Sequence, residues 1–170
     1  MKKQKGFSLI ELLIVVAIIL IIAAIAVPNL LRSRMAANES SAAGSERTLA
    51  TSNVTYSTTY GLGFAGTMAQ LGPSTSASSA AADLIDATLA GATVSTAPKS
   101  GYFFTYTAPN AAPTSTSQNN SFSILAQPAS TSTGTSSFCV DQSNVVKKDP
   151  AGSSAGPDTT GCATYSGPPL

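Results

Sequence analysis

Glu11 is the residue that most needs a chemical explanation. Residues 7–27 form an apolar run of 21 residues in which only Ser8 and Glu11 are polar. A carboxylate deep in a membrane helix costs about 2.5–3.5 kcal/mol on insertion scales, and less near the interface. Such a group needs a compensating cation. Other residues able to do chemistry are sparse. Cys139 and Cys162 are the two cysteines, and the chain has no histidine and no tryptophan. That removes His-based triads and His-containing metal sites. No glycine-rich phosphate loop precedes a helix with a lysine. Asp83 and Asp86, three apart, read as an exposed helical face rather than an acid pair. Asp141, Asp149 and Asp158 could hold calcium, but they lack regular ligand spacing and read as solvated loop residues.

The element that must position Glu11 is a helix. At about 1.5 Å per residue, residues 7–27 span roughly 30 Å, the thickness of a bilayer's hydrocarbon core. Lys2, Lys3 and Lys5 precede the run, and Arg32 and Arg34 follow it. The positive-inside rule favours a cytoplasmic N-terminus and a translocated body. Two cysteines in that body then read as a disulfide between Cys139 and Cys162. A secretory signal peptide would use Ala24-Ile25-Ala26 as its cleavage form. Against it, the run is longer than a usual signal core and contains Glu11. A plain single-pass anchor explains the length but gives no role to Glu11 or to Gly6-Phe7.

The lysines leading into Gly6-Phe7-Ser8-Leu9-Ile10-Glu11-Leu12-Leu13-Ile14-Val15-Val16 resemble the prepilin signature shared by type IV pilins and type II secretion pseudopilins. The resemblance covers about residues 1–35 without departure from the pattern. It implies that a prepilin peptidase cuts between Gly6 and Phe7 and N-methylates Phe7. It implies that Glu11 neutralises the N-terminal amine of a neighbouring subunit during assembly. Implied partners are copies of the chain itself in a helical homopolymer, the peptidase, and an inner-membrane assembly platform with its ATPase. The residues fit this chemistry. Before cleavage the Phe7 nitrogen is an uncharged amide, and afterwards it is an ammonium. Phe7 and Glu11 are four apart, so they share a helical face. A buried ammonium and a buried carboxylate are costly alone and tolerable together. An intra-helix pair fits the same spacing.

Beyond the run, residues 28–60 read as a continuing helix. Pro28 lacks a donor and should kink it or mark the membrane boundary. Ala42, Ala43, Leu49, Ala50 and Val54 recur on one face, with Tyr56 and Tyr60 finishing it. Gly61 and Gly63 supply the stop. A continuous helix to residue 60 would be about 80 Å long, like the long N-terminal helix of pilins. Residues 67–71 suggest a helical turn, and residues 83–90 a second short helix with Leu84, Ile85 and Leu89 inward. Four strands follow. Tyr102, Phe104 and Tyr106 alternate in the first, and Phe122, Ile124 and Ala126 in the second. Residues 138–140 and 145–147 flank Asp141-Gln142-Ser143-Asn144, a hairpin turn.

Charge divides the chain. Residues 1–34 carry five basic residues and one acid, and residues 35–170 four basic and seven acidic, so net +4 and −3. No basic patch suits nucleic acid. The fold expected is α+β: a long N-terminal helix, half transmembrane and half amphipathic, packed on a small antiparallel β-meander head. Its parts are a leader (1–6), a transmembrane and filament-core helix (7–27), an amphipathic continuation (28–60), a connector (61–100) and a head with a disulfide-closed C-terminal loop (101–170). The resemblance implies a structural subunit, not an enzyme, with no cofactor and no metal. The precursor would sit in the bacterial inner membrane with its N-terminus cytoplasmic. The mature chain would form an extracellular pilus. A periplasmic pseudopilus of type II secretion, or a minor pilin, is the alternative. An exported enzyme on an anchor is disfavoured by the missing histidine and the sparse, polar head. Phe7, Tyr56 and Tyr60 are too few to argue for electron conduction and read as packing residues.

Overall fold

The computed structural model describes residues 7–152, Cys162, Tyr165 and 168–170. The chain forms two compact units, Met1–Arg34 and Met35–Leu170. Its elements are α1 (Leu9–Tyr60), α2 (Met68–Leu71), α3 (Ala87–Gly91), β1 (Tyr102–Thr107), β2 (Ser123–Pro128), β3 (Ser137–Asp141) and β4 (Lys147–Asp149).

In the first unit every described residue from Leu9 on belongs to α1. Its apolar side chains face outward all round, with Phe7 76% and Ile21 63% exposed. The most apolar stretch is long and apolar enough to cross a membrane and has no buried residue. A helix that is hydrophobic on every side needs an apolar medium or other helices around it.

In the second unit α1 continues to Tyr60, where Gly61 ends it. Gly61 takes φ 65° and its N–H donates to the Ser57 carbonyl at 3.0 Å. That is the left-handed cap that glycine adopts at no steric cost. The strands form one antiparallel sheet in the order β1-β2-β3-β4. Tyr102 pairs with Pro128, Ile124 with Val140, and Ser137 with Asp149.

Period-two alternation decides what each strand buries. Tyr102, Phe104, Ile124, Ala126, Phe138 and Val140 face α1 and form the main core with Ala42, Ala43, Leu49, Ala50 and Tyr56. Leu125 and Cys139 face the other way, onto Cys162 and Tyr165. Because β2 is covered on both faces, its residues Ser123 to Ala126 are all buried. Each fully buried Leu, Ile or Phe contributes about 1.5–3 kcal/mol. Met68, Leu71, Ile85 and Leu89 from the segment between α1 and the sheet join the same core.

Three local expectations need correction. Val54 does not continue the inward stripe; it is 39% exposed, and Asn53 takes the buried position. The second short helix begins at Ala87, not at residue 83. Asp83 adopts φ 54°, which breaks any helix there, and Asp86 is the N-cap, accepting from the Leu89 N–H at 2.9 Å. The last strand is Lys147–Asp149, two residues later than the valines suggest. Val145 is exposed, whereas Val146 is buried in the main core, and its carbonyl accepts from the Leu170 N–H at 2.9 Å. The intervening turn is as expected: the Asn144 N–H donates to the Asp141 carbonyl at 2.9 Å, with Asn144 at φ 59°.

Candidate functional site

The start of α1 is a capping box. Ser8 Oγ accepts from the Ile10 N–H at 3.3 Å, and Glu11 Oε2 accepts from the Ser8 N–H at 2.9 Å. Ser-x-x-Glu satisfies two of the donors that a helix N-terminus leaves orphaned. An anion there also lies at the positive end of the helix dipole. Glu11 is thus held by its own helix, one residue from the Phe7 nitrogen. Gly6 lies outside the described residues. Pro28 lies inside α1, which runs on to Tyr60. Its missing N–H leaves the carbonyl one turn earlier without its helical donor.

In the head, Cys139 and Cys162 form a disulfide, with Cα atoms 6.0 Å apart and a sequence separation of 23. Both are fully buried. Asp141 and Lys147 strap the second cysteine in place. The Cys162 N–H donates to Asp141 Oδ2 at 2.8 Å, and Lys147 Nζ donates to the Cys162 carbonyl at 2.9 Å. The expectation that Asp141 and Asp149 are solvated loop residues is overturned. They are 9% and 7% exposed. Asp141 Oδ1 accepts from the Ser143 N–H and hydroxyl. Burial pushes its carboxyl up, but these donors and Cys162 more than offset it, leaving it below the usual carboxylate range. Asp149 accepts from the Ala151 N–H at 3.0 Å. Asp158 lies outside the described residues. Among the described residues no group of three or more acidic or sulfur side chains could hold a metal ion. Asp83 and Asp86 are exposed but not on one helical face, because Asp86 caps α3 and Asp83 precedes it in a turn. Tyr56 packs in the core with its ring centroid 5.0 Å from that of Tyr60. Phe7 is exposed.

Three polar residues on α1 escaped the hydrophobic reading. Glu39 joins α1 to the sheet. Its Oε1 accepts from the backbone N–H groups of Thr135 and Ser136, and its Oε2 from Lys148 Nζ at 3.0 Å. Asn53 is fully buried and bonds Ala65, Tyr106 and Leu49. Glu46 is fully buried too. The signal that finds the last two is spacing alone. Positions 42/43, 46, 49/50, 53 and 56 follow the helical period, and counting only apolar residues drops 46 and 53.

The family described as the prokaryotic N-terminal methylation motif matches residues 1–27. The type IV wide pilus major component of Thermus thermophilus is 62% identical over 39 residues, which cover 23% of this chain and 30% of that protein. The chain thus spans under a third of that relative's length in the match. No solved structure matches the chain. The chain thus carries the prokaryotic N-terminal methylation motif, and the stretch it shares with the Thermus protein is similar to part of a type IV pilin.

Proposed function

We propose that the chain is a structural subunit that polymerises through its N-terminal helix into an extracellular type IV filament. The observation that carries this is the methylation motif on a helix whose apolar surface is bare all round and whose first turn holds a carboxylate. In this reading a prepilin peptidase cuts between Gly6 and Phe7 and methylates Phe7. The cut turns an amide nitrogen into an ammonium next to Ser8, the residue whose N–H Glu11 already holds. Within a bundle of such helices, Glu11 then neutralises the amine of a neighbouring subunit. Pro28 bends the helix or marks the end of its membrane half. Before assembly the precursor spans the inner membrane, N-terminus in the cytoplasm, and an assembly platform with its ATPase extracts it. The name of the Thermus relative favours a pilus over the pseudopilus of a type II secretion system.

The deciding experiment is intact-mass and N-terminal analysis of the mature protein from its native host, followed by imaging of sheared filaments. A start at N-methyl-Phe7 with filaments containing the chain is the expected result. A start at Val27 would make it an ordinary secreted domain and end the filament reading. An intact Met1 would make it a plain anchor.

A further inference from the structure

Glu46 is a polar group the filament reading does not use. It lies on the buried face of α1 between Ala42, Ala43, Leu49 and Ala50. Its side chain is fully buried, and neither carboxylate oxygen has a hydrogen-bond partner among the described residues. Native proteins bury few polar atoms without partners, so each instance has a cause.

Among the described residues nothing around it supplies a counter-charge. Across from α1, β2 contains no ionisable side chain. The head's lysines are engaged elsewhere: Lys148 on Glu39, Lys147 on the Cys162 carbonyl, and Lys99 between Asp86 and Ser45. Arg47, next in sequence, is on the exposed side. From β1, Tyr102 gives its hydroxyl proton to the Ser136 carbonyl, and Tyr106 bonds Asn53. Tyr165, from the C-terminal segment, shares its hydroxyl with Ser137. Asp141 on β3 and Asp149 on β4 are acids, which oppose a further negative charge. Burial holds the Glu46 carboxyl well above the usual carboxylate range, and the Ala126 amide opposes this to a lesser degree.

We propose that Glu46 is a pH-sensitive latch between α1 and the sheet, closed while the carboxyl is protonated and opened when its proton passes to solvent. A neutral carboxyl can stay in the apolar layer. Among the described residues a carboxylate there has no cation and only the Ala126 amide to oppose its burial, and it reaches water only if this stretch of α1 leaves β2. The Glu46 contribution is therefore greatest in acid and fades as the medium turns alkaline. The sign follows from linkage. The unfolded chain releases this proton near pH 4.3, about the reference glutamate value. The folded chain keeps it to higher pH. The contribution is complete below the unfolded value and erodes with rising pH until the folded group titrates. Over that window the unfolding constant grows about tenfold per pH unit.

The test uses the full chain in detergent micelles and does not depend on whether filaments form. Urea unfolding is followed by near-ultraviolet circular dichroism for the wild type and Glu46→Gln across a pH series. Acids elsewhere titrate in both proteins and cancel in the ratio of their unfolding constants. The ratio of wild type to variant should climb by about tenfold per unit above about pH 5, then level off where the folded carboxyl titrates. A ratio independent of pH would overturn the latch. Should Glu46→Gln fail to fold, infrared spectra of the wild type decide. A protonated-carboxyl band persisting at neutral pH, and vanishing together with the dichroism signal on raising the pH, supports the latch. Absence of that band at neutral pH overturns it.

Discussion

Replacing Asn53 by alanine should destabilise the head far more than removing the hydroxyl of Tyr106, although the two side chains share a hydrogen bond. Asn53 Oδ1 accepts from the Ala65 N–H at 3.2 Å and from the Tyr106 hydroxyl at 2.7 Å, and Asn53 Nδ2 donates to the Leu49 carbonyl at 3.1 Å. The Tyr106 oxygen also lies 2.7 Å from the Ala65 carbonyl. One hydroxyl has one proton, so the two acceptors share it. Asn53→Ala orphans the N–H of Ala65, a fully buried residue, at about 1–3 kcal/mol. The void left by the amide adds to this, for a total of about 2–4 kcal/mol. Tyr106→Phe orphans nothing. Asn53 keeps the Ala65 N–H, and the Ala65 carbonyl keeps Asn119 Nδ2 at 3.4 Å. Its cost is about 0.5–1.5 kcal/mol. Because the two share a proton, the double variant should cost less than the sum of the singles. Urea unfolding of the full chain in micelles measures all three. A Tyr106→Phe cost equal to that of Asn53→Ala would refute the idea that the orphaned Ala65 N–H dominates.

Glu11→Ala should leave the cut after Gly6 intact yet reduce or abolish filaments, because the Phe7 amine would remain unpaired among apolar helices; electron microscopy of sheared material checks this, and normal filaments would defeat the pairing. Cys139→Ser should lower the head's stability by roughly 3 kcal/mol, the chain-entropy value for a loop of this size; the melting curve under oxidising conditions reads it, and an unchanged curve would mean the bridge is idle. Glu39→Gln should flatten the acid limb of the stability profile. Burial raises the Glu39 carboxyl, but Lys148 and the Thr135 and Ser136 donors more than offset it, so it titrates below its ordinary value. That contribution is present above the unfolded value and lost as pH falls through the folded one. Equal acid limbs in wild type and variant would remove Glu39 from the account.

What could be read in the sequence followed from how local each signal is. An apolar run of 21 residues demands a helix whatever surrounds it. Gly61 marks the end of α1 because only a left-handed residue fits there. The first two strands announce themselves by alternation. Strand β4 does not: Lys147-Lys148-Asp149 has no strand propensity, and its place comes from pairing with Ser137 and Phe138 and from Lys147 reaching the Cys162 carbonyl. Asp86 carries an N-cap signal, because it precedes Ala-Thr-Leu-Ala, but the apolar Leu84 and Ile85 before it mimic an earlier start. In the methylation segment, Ser8 and Glu11 carry a capping box that is plain in the letters. The burial of Asp141 was illegible, because it depends on chain segments brought together only by the fold, and that of Glu46 shows only in its place on the helical period.

The Glu39 clamp has a mechanical consequence. It joins the start of the head to β4 across 109 residues of sequence. Tension applied along α1 therefore enters the sheet at Lys148 and the loop before β3, and does not have to travel through the intervening chain. From its other end, the disulfide pins the C-terminal segment to β3. An ion pair on β4 and a covalent bond on β3 thus tie the two neighbouring strands at this side of the sheet to the segments that precede and follow them.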